Sequence, residues 1–335
     1  MTNSRTTRAF TLLELLLSMV ILGGLIFVMT SAFLVQQRTY VVVDQISEAQ
    51  QNMRGVTDLI ERDVRRAGYM VPRQAAVCGY DATTGPDTLY LSHTDVIRSV
   101  FDLEDDNLDL SGNLGAPVTN DTSTFNATGS SFTLQLSRLW VDAAADGDDF
   151  AVGDGVIVVN KNNTDQSVAC GTITSIAGNN LTVDFGATST GAVDLNADVV
   201  VIPAIVYVLD TGVSPPRLMR NGQMLASGVE DFQVTYFFDQ DDDLVVDAGE
   251  MFGTATGGTD RPWELTPAAN RPDFTSLRSL GINIVTATRQ NDPNTNYQLG
   301  KGQVTGNRTA ASLVSIDGKR RRVSSTRVRL RNVAG

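Results

Sequence analysis

The sequence predicts an α+β protein, in which a long N-terminal α-helix packs on a β-rich globular domain. Residues 10–70 contain no proline, and their first half is almost entirely apolar. Their second half keeps apolar residues at helical spacing. From about residue 75 the pattern changes to short apolar segments with alternation, which is typical of strands. The chain has 335 residues, of which 42% are hydrophobic, so the domain can bury a substantial core.

The first part of the helix is predicted to cross a membrane. Leu15–Val35 carries no charged residue, and about 20 apolar helical residues span a bilayer core. Arg5 and Arg8 precede the apolar run that begins at Phe10, and no acidic residue precedes that run, which keeps the N-terminus cytoplasmic. A secretory signal peptide would have a shorter apolar region with a small-residue cleavage site close behind it. A plain signal anchor would leave the acidic Glu14 unexplained.

Glu14 is the single charge at the start of this apolar run. A carboxylate beside hydrocarbon costs about 2.5–3.5 kcal/mol, which indicates a functional residue. The residues Arg8–Glu14, RAFTLLE, resemble the class III signal of type IV prepilins. In that family a short basic leader is cut directly before a Phe, and the fifth mature residue is Glu.

The resemblance implies cleavage between Ala9 and Phe10 by a prepilin peptidase, followed by N-methylation of Phe10. The family usually has Gly where Ala9 stands. Glu14 would then pair with the N-terminal amine of a neighbouring subunit, which neutralises two charges in the apolar core of a filament.

The second half of the helix is amphipathic, with one apolar stripe that is expected to pack on the domain. Gly68 suits the end of the helix and Pro72 prevents its continuation. The stripe consists of Val42, Ile46, Ala49, Met53, Val56, Ile60, Val64 and Ala67.

The end of this helix indicates which kind of pilin the sequence resembles. The stretch Ile60–Tyr69, IERDVRRAGY, followed by Cys78-Gly79, is similar to the end of the first helix in PilW-type minor pilins. Minor pseudopilins of the J type, from type II secretion, share a related stretch. The segments Phe150–Val156 and Val206–Asp210 also look PilW-like.

The resemblance implies a pilin-like fold and a minor pilin that helps to initiate type IV pilus assembly, at or near the tip. The implied partners are other minor and major pilins and the inner-membrane assembly platform. The implied location is the inner membrane before assembly, and the pilus, cell surface or periplasm afterwards. A J-type minor pseudopilin and a membrane-tethered, calcium-dependent adhesin are the alternatives.

We predict four segments: a leader at 1–9, a transmembrane and filament-core helix at 10–35, an amphipathic helix at 36–70 and a β-rich domain at 75–335. Gly178-Asn179-Asn180 predicts a hairpin, and the stretches 102–130 and 253–271 are predicted surface loops. The predicted strands are Thr88–Ser92, Ser131–Trp140, Gly155–Asn160, Gly171–Ile176, Leu181–Phe185, Val199–Leu209, Phe232–Phe238, Ser279–Thr286 and Arg322–Arg331.

An acidic segment, DQDDDLVVDAGE, starts at Asp239. Its acids stand at the first, third, fifth, ninth and twelfth places of a loop of the EF-hand type, which binds Ca²⁺ through oxygen ligands. Leu244 stands where the turn normally requires Gly, and a strand rather than a helix is predicted before the loop. A solvated acidic hairpin tip is the alternative. The candidate ligands are Asp239, Asp241, Asp243, Asp247, Glu250 and the backbone carbonyl of Val245.

The only two cysteines, Cys78 and Cys170, lie in the part placed outside the cytoplasmic membrane, where disulfides persist. Members of the resembling family often pair a cysteine just after the first helix. A Cys78–Cys170 disulfide and two free buried thiols are both open.

Composition argues against catalysis and nucleic-acid binding. The net charge is −12, whereas phosphate binding needs a cationic face. His93 is the only histidine and is expected to be structural, and the phosphate-loop and serine-hydrolase motifs are absent. The basic residues of the C-terminal segment are expected to pair with acids of the domain or of a neighbouring subunit. They are Lys319, Arg320, Arg321, Arg322, Arg327, Arg329 and Arg331.

Overall fold

A computed structural model describes most of the helix and the strands of the β-rich domain. The described residues are 11–69, 71, 73–82, 85–93, 116–117, 125–126, 131–135, 150–160, 168–178, 180–185, 192–193, 199–253, 272–273, 276–290 and 319–333. The predicted leader and most of the two predicted loop stretches lie outside these residues.

A single helix, α1, runs from Leu12 to Arg66. It ends as predicted, because Gly68 adopts the left-handed conformation with φ +81°, which costs least for glycine. The side-chain amide of Asn332 caps this end by donating to the carbonyls of Arg66 at 3.2 Å and Ala67 at 3.4 Å.

The rest of the described chain is almost entirely β-structure, so the predicted α+β class is confirmed. Two 3₁₀ turns accompany the strands, at Arg73–Ala75 and Ala248–Glu250. The strands are β1 (Val77–Tyr80), β2 (Thr88–Leu91), β3 (Ala116–Pro117), β4 (Phe125–Asn126), β5 (Phe132–Gln135), β6 (Gly155–Asn160), β7 (Val168–Ala177), β8 (Asn180–Asp184), β9 (Ala192–Val193), β10 (Val199–Asp210), β11 (Arg217–Arg220), β12 (Gln223–Ser227), β13 (Val229–Phe238), β14 (Met251–Phe252), β15 (Leu277–Ala287) and β16 (Arg321–Arg329).

The described strands form two main antiparallel sheets and one small pair. The larger sheet has the order β1-β2-β10-β6-β7-β8-β5, with β3 and β11 also paired to β10, and β12 paired to β11. The smaller sheet has the order β14-β13-β15-β16, and β4 pairs with β9. Ala177 is opposite Asn180 in the β7–β8 pair, which confirms the predicted hairpin. β3 and β4 fall within one of the predicted loop stretches, and that stretch is therefore not entirely loop.

The larger sheet is buried on both faces along β6. Ile157 and Val159 belong to a core shared with the end of α1 and the smaller sheet. Val156 and Val158 belong to a second core on the opposite face, together with Phe150. Because both faces are covered, β6 has a continuous apolar sequence rather than an alternating one.

The chain divides into two compact units, residues 1–48 and residues 49–335. Within the second unit, the C-terminal part of α1 buries Met53, Val56, Ile60 and Val64. The amphipathic stripe of this part therefore packs on the β-structure as predicted.

Candidate functional site

The apolar part of α1 is the most exposed hydrophobic segment that the structure describes. Every residue from Thr11 to Val41 is exposed, including large side chains such as Leu12, Phe27 and Phe33. By length and composition this helix can cross a membrane. So large an exposed apolar surface indicates a membrane or another protein as its normal environment.

Glu14 lies in the first turn of α1 and makes local hydrogen bonds there. Its Oε2 accepts hydrogen bonds from the backbone N–H of Thr11 at 3.0 Å and from the Thr11 hydroxyl at 3.1 Å. The Thr11 Oγ1 in turn accepts the backbone N–H of Glu14 at 3.3 Å. This reciprocal arrangement is a capping box, which satisfies backbone donors that lack partners within the helix. Ala9 and Phe10 lie outside the described residues.

A second acidic residue of α1, Asp63, is buried in the domain. Its Oδ2 accepts hydrogen bonds from the Tyr207 hydroxyl at 2.6 Å and from Nη2 of Arg220 at 2.9 Å. Burial raises the pKa of the Tyr207 hydroxyl, and the adjacent Asp63 carboxylate raises it further. The hydroxyl therefore stays protonated and remains a donor. This Asp63–Tyr207–Arg220 cluster joins α1 to β10 and β11.

A disulfide joins Cys78 of β1 to Cys170 of β7, with the Cα atoms 6.1 Å apart. The two strands are not neighbours in the larger sheet, so the crosslink connects strands that backbone pairing does not join. A hydrogen bond of 3.1 Å between the hydroxyls of Tyr90 and Thr172 joins β2 to β7 beside it. Burial raises the pKa of Tyr90 to about 12.

The acidic loop after β13 gathers part of the predicted ligand set. Asp239, Asp241 and Asp243 each place a carboxylate oxygen within 4.8 Å of the other two. Asp247 and Glu250 are not in this group. Glu250 closes the loop instead, because its carboxylate accepts the backbone N–H groups of Gln240 at 2.6 Å and Asp247 at 3.1 Å.

The position that normally requires Gly in such a loop has left-handed backbone geometry. Leu244 has φ +65°, and its side chain is 82% exposed. Val245 beside it is also exposed. This φ is uncommon for a residue with a Cβ atom, so the loop adopts the expected turn at that position in spite of the Leu.

Basic residues of β16 contact the domain itself. Arg321 makes an ion pair with Glu230 at 2.6 Å. The guanidinium of Arg327 lies over the ring of Phe237, 3.9 Å from its centroid. The Arg321 ion pair agrees with the expected pairing with acids of the domain, whereas the contact given for Arg327 is with an aromatic ring. His93 is buried, as expected of a structural histidine.

Comparison with protein families finds a match in the C-terminal part of the chain. Residues 206–332 match a family model described as type IV pilus-assembly protein W. Over these residues, which make up less than half of its length, the chain is similar to that family. The matched region begins at β10 and ends at Asn332, so it contains Tyr207, Arg220 and the acidic loop.

Comparison with solved structures gives a type IV-like pilin from Thermus thermophilus. The match has a TM-score of 0.30 and 10% sequence identity, and it covers 88% of this chain and 98% of the other. No curated protein matches the chain.

Two features of the chain were missed by sequence reasoning. The capping box has a visible signal, a Thr three residues before a Glu at the start of an apolar run. The sequence signal for the Asp63–Tyr207–Arg220 cluster is weaker. Asp63 lies in the stretch that resembles the family and next to the apolar stripe, but nothing in the sequence indicates which residues of the strands would reach it.

Proposed function

We propose that the chain is a prepilin that is cut between Ala9 and Phe10 and works as a minor pilin in the initiation of type IV pilus assembly, at or near the tip. The family match supports a role in this assembly system. The observation that carries the proposal is the exposed apolar part of α1, from Leu12 to Val41, with Glu14 in its first turn. Such a helix suits a membrane before assembly and a packed bundle of helices afterwards.

In this proposal Glu14 has two roles, which a substitution can separate. The carboxylate caps the helix within its own chain, and its charge would pair with the terminal amine of a neighbouring subunit. The capping hydrogen bond needs only an oxygen acceptor, which Gln also provides. The ion pair needs a negative charge. Glu14→Gln therefore keeps the first role and removes the second.

The test compares Glu14→Gln and Glu14→Ala with wild type in the native cell. Both variants should insert in the membrane normally, and both should be depleted from sheared filaments by about tenfold or more, equivalent to about 1.4 kcal/mol of lost interaction. Immunoblots of membrane and filament fractions measure the two quantities. Incorporation of Glu14→Gln at the wild-type level would leave helix capping as the sole role of this residue and contradict the ion pair.

A J-type minor pseudopilin of type II secretion would share the anchor and the Glu14 chemistry. The match to a pilus-assembly family favours the pilus. Deletion of the gene separates the two: loss of surface pili with normal export of secreted proteins supports the proposal, and the reverse pattern supports the pseudopilin.

A further inference from the structure

The acidic loop between β13 and β14 brings like charges together outside the parts used in assembly. The carboxylates of Asp239, Asp241 and Asp243 lie within 4.8 Å of one another. Asp241 and Asp243 are exposed, whereas Asp239 is buried at 1% exposure. Charges of the same sign at this distance repel one another, and the repulsion is screened least at the buried member.

The buried member of the cluster has an oxygen without a donor. Nε of Arg278 lies 3.0 Å from Oδ2 of Asp239. Within the part of the chain that the structure describes, Oδ1 of Asp239 is buried and accepts no hydrogen bond. A buried carboxylate oxygen that is left without a partner is unfavourable. A cation in contact with this oxygen would remove this cost.

Arg278 does not neutralise the loop. Its second contact is Asp242, whose Oδ1 lies 2.6 Å from Nη2. The guanidinium therefore faces Asp239 and Asp242, and the two exposed carboxylates of the cluster have no ion pair among the described residues. The run from Asp239 to Asp243 carries four negative charges, of which Arg278 pairs with two. Arg327 and Arg329 line the same cavity as Asp239.

The backbone of the loop is already organised around the cluster. The N–H of Val245 donates to Oδ1 of Asp243 at 2.7 Å. Glu250 holds the two ends of the loop through Gln240 and Asp247. Binding a cation would therefore require little further ordering of the chain, and ordering is a main cost of forming a site.

We propose that this loop binds one Ca²⁺ ion through a carboxylate oxygen from each of Asp239, Asp241 and Asp243, with water completing the coordination. Ca²⁺ accepts six to eight oxygen ligands in irregular geometry, whereas Mg²⁺ requires a near-ideal octahedron. An exposed loop with three acidic ligands fits the weak class of sites found in extracellular modules, with a Kd of about 10⁻⁴–10⁻³ M. The proposal is independent of the role proposed for Glu14.

Isothermal titration calorimetry tests the site on the full-length chain in detergent, after chelator treatment and dialysis. Ca²⁺ should give saturable heat with one site per chain, and Mg²⁺ should bind more weakly. Asp241→Asn and Asp243→Asn should each weaken Ca²⁺ binding by about tenfold or more, since each removes a ligand from a small set.

Asp242→Asn is the matched control, because it removes the same charge from the same loop but is not a member of the cluster. Its Kd should stay within about threefold of wild type, since it loses general attraction and one contact of Arg278 but no ligand. Equal weakening by Asp242→Asn and Asp241→Asn would overturn the site in favour of diffuse attraction to an acidic tip. Absence of Ca²⁺ heat below about 1 mM would also overturn it.

Thermal unfolding gives a second measurement that does not depend on heat of binding. Ca²⁺ should raise the Tm of wild type and of Asp242→Asn, because a ligand that binds only the folded state stabilises it. It should leave the Tm of Asp241→Asn almost unchanged. A Tm that does not respond to Ca²⁺ in wild type would contradict the proposal.

Discussion

At the scale of single residues, the buried acids of the domain differ in what surrounds them. Asp63 faces the guanidinium of Arg220 and a phenol. Asp87 is equally buried, but its two oxygens accept backbone N–H groups, from Ala82 at 3.0 Å and Val234 at 2.8 Å. Burial raises the pKa of Asp87 well above its usual 3.8, and the charge of Asp81 raises it further. The carboxyl therefore keeps its proton more readily in the folded chain than in the unfolded one.

This difference predicts a pH dependence for the stability contributed by Asp87. The folded state holds a proton that the unfolded state has released once the pH exceeds 3.8. The contribution is therefore fully present below that pH and is lost as the pH rises toward the folded-state pKa. Asp87→Asn, which does not titrate, should lose more free energy of unfolding relative to wild type at pH 4 than at pH 8. Urea unfolding of wild type and of Asp87→Asn at both pH values measures this difference in the free energy of unfolding.

A wild-type advantage that instead grows with pH would contradict this prediction. It would mean that the backbone hydrogen bonds to the carboxylate outweigh its burial. The Val234 and Ala82 donors are unchanged by pH, so the sign of the slope reports the titration of Asp87 together with its acidic neighbour Asp81.

At the scale of elements, apolar pattern and turn chemistry were readable from the sequence, but side-chain partners were not. Each predicted strand overlaps an observed one, because alternation or a continuous apolar run directly reflects burial. β1, β3, β4, β9, β11, β12 and β14 were missed. β11 and β12 carry charged or polar residues and are only partly buried, so they show no apolar pattern. β11 pairs with β10 and forms a hairpin with β12 around Asn221-Gly222, and this Asn-Gly pair is a local signal that was present in the sequence.

The same reasoning explains what was predictable at the candidate sites. The acidic loop and its turn at Leu244 followed from spacing along one segment. Closure of the loop by Glu250 did not, because an acid can ligate a metal or accept backbone N–H groups with equal ease. The Asp63 cluster combines residues separated by 144 and 157 positions, and no spacing within one segment indicates it.

That cluster is expected to be the main polar connection between α1 and the larger sheet. Asp63→Ala leaves Arg220 and Tyr207 without their shared acceptor, and breaking a buried ion pair in this way costs about 3–5 kcal/mol. Arg220 is 30% exposed, which places the loss near the lower end of that range. Denaturant unfolding of the full-length chain in detergent measures the free energy of unfolding that Asp63→Ala loses.

Asp58→Ala is the control on the same helix. Asp58 is exposed, and its removal should change the free energy of unfolding by no more than about 0.5 kcal/mol. Tyr207→Phe should give an intermediate loss of about 1.5–3 kcal/mol, since it removes one hydrogen bond to a charged group. Equal stability of Asp63→Ala and Asp58→Ala would show that apolar packing alone holds α1 to the sheet.

At the scale of the whole molecule, two separate parts of the sequence support the same assembly role. The family match covers residues 206–332 of the domain. The prepilin-like signal at residues 8–14 lies far outside that region. Neither observation depends on the other. The disulfide and the two apolar cores stabilise the domain without any contribution from the signal, so processing at the N-terminus can change without loss of the domain's fold.

Removal of the leader is the event on which the proposed assembly depends. Arg5 and Arg8 lie in the leader, and cleavage replaces them with a single terminal amine on Phe10. That amine can be neutralised by one carboxylate, whereas the uncut basic leader cannot enter an apolar filament core without further acids. We therefore expect mass analysis of the native protein to find an N-terminal peptide that begins at Phe10 and is heavier by one methylene group.

Substitution of Ala9 separates processing from insertion. Ala9→Gly restores the residue usual in the family and should be processed at least as fully as wild type. Ala9→Leu places a bulky side chain at the cleavage position and should accumulate in the membrane with its leader attached, since Leu15–Val35 is unchanged and still long enough to span the bilayer. Filaments from cells that carry Ala9→Leu should lack the protein. If uncut Ala9→Leu enters filaments at the wild-type level, a free amine at Phe10 is not required, and the pairing proposed for Glu14 fails with it.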